Sequence, residues 1–418
     1  MIRVLHTGDW HIGQTLRGFS REREHDAVFA RLVGLVEERE VDALVVAGDV
    51  FDGQNPSGES QARFYALMAR LHAVRPSMTI VITAGNHDAA GRLEAPRPLL
   101  EAIGVHVVGN VRRRDGAIDL GRHLVPIRDP SGAVAAQVLA VSYPTASCLP
   151  PLASLMRAGE VSPIVRGVRN LYDGLYEAAR PRLDGLPLLV TGHLHVAGGL
   201  ESEGAERRIL VGGEHAVPPD VFPEAAVYVA LGHLHRAQEI RHGSGGRTVR
   251  YCGSLIPLSA TEQPYQHGVS LVTLGDGPAP RVEHLALPRP VPFWRLPEQG
   301  EIALADLGDH LAALALDPTL PPEAQPFVQV RLARAGLPAG FRAEVDRVAS
   351  AFPVRVVDVR VTAPDHAEVD LVAPGAVLAR LAERDPEDLF RLAFERTHGC
   401  PPEAAHLDVF HRARAAAA

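Results

Sequence analysis

The sequence contains no lysine; all 42 of its basic residues are arginine. With so much alanine, glycine and proline, that looks like the codon bias of a GC-rich genome rather than selection for phosphate-gripping forks. Cysteine is nearly as scarce. Cys148, Cys252 and Cys400 stand singly along 418 residues, which argues against a disulfide framework or a cysteine-based zinc knuckle and fits a reducing compartment. No apolar run approaches the roughly 20 residues of a membrane span. The opening M-I-R-V-L-H-T-G-D reads as a strand running into a motif, so no signal peptide is expected and cytoplasm is the expected address. Positive charge is short too. A net charge of −8 tells against a chain that grips nucleic acid by bulk electrostatics. It does not exclude an enzyme of DNA, because cations can neutralise substrate phosphates locally and a partner can supply a basic groove. At 46 % apolar and 22 % charged, the rest is an ordinary globular composition sized for two or three domains.

What is present is a set of five short apolar runs, each breaking into a glycine beside Asp, Asn or His. They read D-W-H at Asp9 to His11, G-D at Gly48 and Asp49, G-N-H-D at Gly85 to Asp88, and G-H-L-H at Gly192 to His195 and again at Gly232 to His235. The runs themselves (2–8, 43–47, 78–84, 187–191 and 226–231) have the β-branched character of strands buried on both faces. Helical spacing between them, in Val28, Phe29, Leu32, Val33 and Val36 and again in Phe64, Leu67, Met68 and Leu71 over 59–74, predicts a layered α/β domain. In open sheets of that kind, sites gather at the carboxyl ends of strands. Residues 104–142 and 205–275 predict a second sheet packed on the first.

The domain boundaries expected are 1–285 for the α/β domain, 286–300 for a stiff Pro-rich linker, 301–374 for a small domain and 375–418 for terminal helices. In the small domain, 327–333 and 354–361 alternate like half-exposed strands around a helix at 341–350. The first terminal helix, 375–397, is amphipathic through Leu378, Leu381, Leu389, Leu392 and Phe394; 401–413 predicts a second.

Two divalent ions roughly 3.5–4 Å apart can stabilise both the attacking and the leaving oxygen of a displacement at phosphorus. Such a site needs one carboxylate between the ions and neutral or anionic ligands around each. Asp9 and His11 suit one ion, Asp49 suits the bridge, Asn86 offers an amide oxygen, and His193, His233 and His235 offer imidazoles. No cysteine lies near any motif, so mixed O/N ligation points to Mn, Fe, Zn or Co, with Mn the first to try. Singly, each tetrapeptide is as well read as a turn or a surface histidine; jointly, each at a strand end, they predict a dinuclear centre.

In order and spacing these motifs resemble the calcineurin-like metallophosphoesterases, whose pattern runs D-x-H, G-D, G-N-H-(D/E), G-H and G-H-x-H. The resemblance covers about residues 1–275 and implies a four-layer β-sandwich flanked by helices. A narrower resemblance, to the SbcD family of bacterial nuclease subunits, rests on H-T-G-D-W-H-I-G-Q at 6–14, V-A-G-D-V-F-D at 46–52, A-L-G-H-L-H-R-A-Q at 230–238 and Y-C-G-S-L-I-P-L-S at 251–259. It extends over nearly the whole chain and implies a small α/β capping domain that binds DNA and C-terminal helices that bind an ATPase subunit.

By motif, the resemblance assigns Asp9, His11, Asp49 and His235 to one ion and Asp49, Asn86, His193 and His233 to the other, with a bridging water as nucleophile. His87 becomes the catalytic histidine and Asp88 the residue that orients it. Archaeal and eukaryotic relatives carry a second histidine three residues after the bridging Asp. Here that position is Asp52, which either orients His87 or a water, or caps a turn. His195 lies outside the pattern and is expected not to be a ligand. Trp10 either stacks on a base or packs the site rim. Arg17, Arg21 and Arg23, and Arg112, Arg113 and Arg114, are candidates for DNA phosphates, with solvated loops as the plain alternative.

The function implied is a Mn-dependent DNA nuclease, 3′→5′ exonucleolytic on duplexes and endonucleolytic at hairpins or blocked ends. An SMC-like ATPase of the SbcC type would gate it, in a heterotetramer built on a homodimer through 59–74 and 95–103, near the nucleoid and away from membranes. The chain shows no G-x-x-x-x-G-K-[ST], so the ATP site falls to the partner. The rivals are a phosphatase or phosphodiesterase of a small nucleotide or phosphoprotein, and a non-catalytic scaffold on the same fold. A scaffold is expected to lose ligands, whereas every position here is filled.

Overall fold

The strand Ile2–Thr7 and its neighbours Ala43–Ala47, Thr79–Thr83 and Val105–Val108 run parallel, and Gly268–Leu274 and Arg281–Ala286 extend the sheet antiparallel on the other side. In this computed structural model the described residues are 1–114, 117–145, 147–149, 162–202, 216–241, 247–275, 277 and 279–362, then 387, 390, 391, 394 and 401–417. Residues 1–362 form one compact unit and 363–418 another. No helix among the described residues is long and apolar enough to cross a membrane.

A second six-stranded sheet has at its centre the parallel strands Val134–Leu139, Leu188–His193, Ala226–Gly232 and Thr248–Tyr251. The two sheets face each other across Val4, Val45, Val81, Val138, Leu189 and Tyr228. The outer face of the first is covered by helices Glu22–Glu38 and Gly58–Val74, whose 3–4 residue apolar spacing delivers Phe29, Leu32, Phe64 and Leu71 to it. Ser57 caps the second of these helices by accepting the Ser60 amide at 3.2 Å. The outer face of the other sheet is covered by Pro163–Ala179. The order helix, sheet, sheet, helix is the four-layer α/β architecture expected, and coverage of both faces explains why Ala43–Ala47 is apolar throughout.

Three local expectations differ from what forms. Val105–Val108 and Gly268–Leu274, within the stretches expected to build the second sheet, instead pair into the first. Inside the stretch expected as a linker, Phe293–Leu296 is a strand, paired in parallel with Phe327–Val330, so this segment is part of the three-stranded sheet completed by Arg355–Thr362. Its prolines flank the strand, which needs free amides only over four residues. Nor is that sheet half-exposed along its whole length: Arg331 and Asp358 are half-buried and Arg360 is exposed, but the end at Phe327 is covered on both faces. One face packs on helices Leu307–Ala312 and Phe341–Ala349. The other seats Phe293, Phe327 and Val357 against Val291 and Ala260, with Leu16 and Phe19 of a short hairpin alongside. Two guanidiniums lie over the Phe327 ring, Arg355 at 3.8 Å and Arg21 at 5.1 Å from its centre.

In the C-terminal unit, helix Ala404–Ala417 brings Phe410 onto Phe390, the rings stacked at 4.7 Å, and His406 onto Phe394 at 4.6 Å. Leu378, Leu381, Leu389 and Leu392, which mark the expected first terminal helix, lie outside the described residues.

Candidate metal centre

Five strand ends from two sheets point at one place. Thr7, Ala47 and Thr83 close strands of the first sheet, and Asp9, Asp49 and Asn86 follow within three residues; His193 closes a strand of the second sheet and His233 follows Gly232, the end of its neighbour. The turns are tight enough to force unusual backbone. Asp9, His11, Asp49 and His233 all have positive φ, at 51, 47, 48 and 98°, a region that non-glycine residues occupy at a cost repaid only where the fold over-determines them. Gly48 has φ 86° and lies so close to Gly85 that a side-chain carbon on it would stand 2.9 Å from the Gly85 Cα. No larger residue fits where these loops cross.

The side chains converge accordingly. Asp49 Oδ2 lies 3.5 Å from His11 Nε2 and 3.3 Å from His193 Nε2, between the two halves of the site. Ligand atoms of Asp9, His11 and His235 lie within 4.8 Å of one another, as do those of Asp9, Asp49 and His193. On the far side, Asn86 Oδ1 is 2.9 Å from His193 Nε2 and 3.1 Å from His233 Nδ1. Asp9, His11, Asp49, His193 and His235 are buried, whereas Asn86, His87 and His233 are half-buried and form the open side.

Three of the imidazoles are turned by a partner on their other nitrogen. His193 Nδ1 donates to the Ala47 carbonyl at 2.8 Å, which turns Nε2 toward Asp49 and Asn86. His11 Nδ1 lies 3.1 Å from Asp52 Oδ1 and His235 Nδ1 lies 2.8 Å from Glu262 Oε1, so both present Nε2 to the centre. Asp9 Oδ2 and His11 Nε2 are buried with no hydrogen-bond partner. Carboxylate, amide and imidazole acceptors thus face one another with too few hydrogens between them. That arrangement is unfavourable unless cations occupy it, and the donor set fits divalent metal ions.

The charges respond to this crowding. Burial pushes Asp49 up, but His193, His11 and His87 outweigh it and hold the carboxyl well below the usual range. Burial lowers His193, yet Asp49 and Asp9 lift it to about 9. His233 is pushed down to about 3 by burial and by His193.

The other residues singled out in the sequence fall into place or out of it. His87 stands beside His11, ring centres 4.7 Å apart, its Nδ1 2.8 Å from the Asp52 carbonyl and its amide donating to Asp49 Oδ1. Asp52 therefore addresses His87 through its backbone and His11 through its carboxylate. Asp88 does not orient His87. Its carboxylate accepts the amides of Val50, Phe51 and Gly85 and so ties two motif loops together. Trp10 is fully buried, donating to Thr7 Oγ1 at 2.9 Å and packing edge-on against Phe29, and cannot stack on a base.

Arg21 is no phosphate ligand either. It is 1 % exposed, paired with Glu24 and hydrogen-bonded to the Pro257 carbonyl. Arg17 and Arg23 are exposed, and Arg112 is exposed but paired with Glu94 at 2.8 Å. Arg113 and Arg114 form a short strand against Ala117 and Ile118. His195 is 3.0 Å from Glu201, outside the cluster.

Sequence reasoning missed Glu262, because nothing in the order of residues ties position 262 to a histidine 27 positions earlier. The signal nearest to it was the run Y-C-G-S-L-I-P-L-S, whose structural role no local pattern reveals. Gly253, φ 76°, packs directly behind the histidine loop, and the Ser254 amide donates to the His235 carbonyl at 3.1 Å. The motif is a buttress for His235.

Residues 2–123 match the calcineurin-like phosphoesterase family, and residues 289–398 match a family described as the type 5 capsule protein repressor C-terminal domain. Over 94 % of both chains, the protein is 48 % identical to the SbcD component of the nuclease SbcCD from Rhodobacter capsulatus. It is 35 % identical to the Bacillus subtilis protein of that name over 66 % of this chain and 67 % of the other, and 33 % identical to that of Escherichia coli K12 over 72 % of both.

Proposed function

Because this chain belongs to the SbcD family of nuclease subunits within the calcineurin-like phosphoesterases, we propose that it hydrolyses DNA phosphodiesters with two divalent ions, Mn foremost, as the nuclease half of a complex with an SbcC-type ATPase. Asp9, His11, Asp49 and His235 hold one ion in this reading, and Asp49, Asn86, His193 and His233 the other. The observation that carries it is Asp49, whose one oxygen stands within 3.5 Å of a histidine from each set. Bound there, the ions supply positive charge for the phosphoryl oxygens and lower the pKa of the attacking water.

The chain's own residues do the rest. His87, half-buried on the open side, is placed to hold a proton beside the phosphoryl group and to deliver it to the leaving 3′ oxygen, while the Asp52 carbonyl sets its ring. Asp52 and Glu262 keep the lone pairs of His11 and His235 turned inward. The substrate reading is duplex DNA attacked 3′→5′ from ends and cut internally at hairpins or blocked termini. ATP on the partner gates access, in a cytoplasmic, nucleoid-associated assembly. Residues 1–285 act as the nuclease domain, 286–374 as the cap and 375–418 as the partner-binding tail. A homodimer through helices Gly58–Val74 and Arg97–Glu101 belongs to the same reading, and each carries a large exposed apolar side chain, Tyr65 and Leu99.

The deciding experiment compares linear duplex, hairpin DNA and a small aryl phosphomonoester, with Mn, with and without an SbcC-type partner and ATP. DNA turnover should exceed that of the monoester, and the partner should raise it further. Faster turnover of the monoester, with no gain from the partner, would replace this reading with a phosphatase.

A further inference from the structure

Glu262 is a carboxylate with no exposed surface, at the end of the 3₁₀ turn Ala260–Glu262. Burying a charge is costly unless it is hydrogen-bonded, and here both oxygens are. Oε1 takes the His235 Nδ1 hydrogen at 2.8 Å and lies 3.4 Å from Ser259 Oγ, while Oε2 takes the Leu258 amide at 2.8 Å. A carboxylate on Nδ1 forces the proton there, so the lone pair at Nε2 is fixed toward Asp9 and His11.

The same turn is built into the small sheet. Ala260 packs with Phe293, Phe327 and Val357. Gln263 Nε2 donates to the Phe293 carbonyl at 3.3 Å, and Arg289 donates to the carbonyls of Gln263 and Tyr265. Arg21, lying over the Phe327 ring, donates to the Pro257 carbonyl at 2.8 Å. Residues 257–263 are thus shared between the strands of the small sheet and the ring of His235. The sheet cannot shift on the nuclease layers without rebuilding contacts within two residues of Glu262.

We propose that Glu262 is the positioning residue for His235, and that through its turn the seating of the three-stranded sheet sets how firmly the centre holds one of its two ions. The proposal rests on the two-ion reading above. It makes the small domain a regulator of metal occupancy, which an ATPase partner could address by moving that domain.

The test uses the full chain in four forms: wild type, E262Q, F327L and V345A. Val345 packs on the opposite face of the small sheet, away from the turn, and serves as a control for destabilising that domain. Mn binding is followed by EPR titration, and the His235 tautomer by long-range ¹H–¹⁵N NMR of histidine-labelled, metal-free protein. E262Q should weaken one Mn step by roughly 10–100-fold, leave the other step near its wild-type value, and replace a single Nδ1–H tautomer by a mixture. F327L should weaken the same step by a smaller factor, and V345A should leave both steps unchanged. Unchanged tautomer and affinity in E262Q overturn the positioning role; a normal F327L, or an equal loss in V345A, overturns the link to the sheet. Fewer than two Mn ions in wild type would instead overturn the dinuclear reading, and the metal-free tautomer would still decide the role of Glu262.

Discussion

At the scale of single residues, the centre divides into side chains that face its interior and backbone that fixes their aim. His87 illustrates the division. Its amide hydrogen-bonds Asp49 Oδ1, while its ring, set by the Asp52 carbonyl, stands on the open side. Replacing His87 with alanine keeps the amide and removes only the ring. We therefore expect His87→Ala to lose about 10²- to 10⁴-fold in DNA cleavage, the usual range for a positioned general acid, while metal content by mass spectrometry stays at the wild-type ratio. Equal cleavage by the variant would remove the ring from the reaction. Types and positions of the facing residues were legible in the sequence because each motif carries its ligands within a few residues of a strand end. The partners of Asp88, Trp10 and Arg21 were not. All three sit in or beside motifs yet are committed to amides, to Phe29 and to Glu24, contacts that depend on what packs above them.

At the scale of elements, the central strand Ile2–Thr7 shows how a period of two distributes roles. Ile2 and Val4 face the other sheet, and so does His6, whose Nδ1 lies 2.9 Å from the Tyr228 hydroxyl. Burial and the nearby Arg250 push His6 down to about 3, so the folded chain holds it neutral while the unfolded chain takes up a proton near 6.5. The group's full contribution to stability is present above pH 6.5 and is lost as pH falls toward 3, at about 1.4 kcal/mol per pH unit. Urea unfolding of metal-free protein between pH 7.5 and 4 should show that loss. In His6→Gln, which can still hydrogen-bond the tyrosine hydroxyl but does not titrate, the dependence should be shallower. Parallel curves would mean His6 is not held neutral. Strand positions were readable from apolar runs. Phe293–Leu296 was hidden by its prolines, and the buried second face at the Phe327 end of Phe327–Ala333 by an alternation that suits any strand with one polar-leaning side.

At the scale of the whole chain, the five apolar clusters defined among the described residues draw on nothing beyond residue 361, so the unit 1–362 carries its own cores. Removing residues 375–418 should leave metal content and basal nuclease activity close to those of the full chain and abolish co-purification with an SbcC-type ATPase. Retained complex formation would place the partner's docking site elsewhere.

By itself, the amino-acid order determined the layered α/β class, the five strand ends and the seven ligand candidates, because those depend on local periodicity and on residue types at short spacing. Only the tertiary structure decided that Glu262 serves His235, that Asp52 serves His11 and that the small sheet is seated on the turn between them and Phe327. These are long-range contacts, made when separate segments pack, and no local pattern encodes which distant atom will complete a buried hydrogen bond.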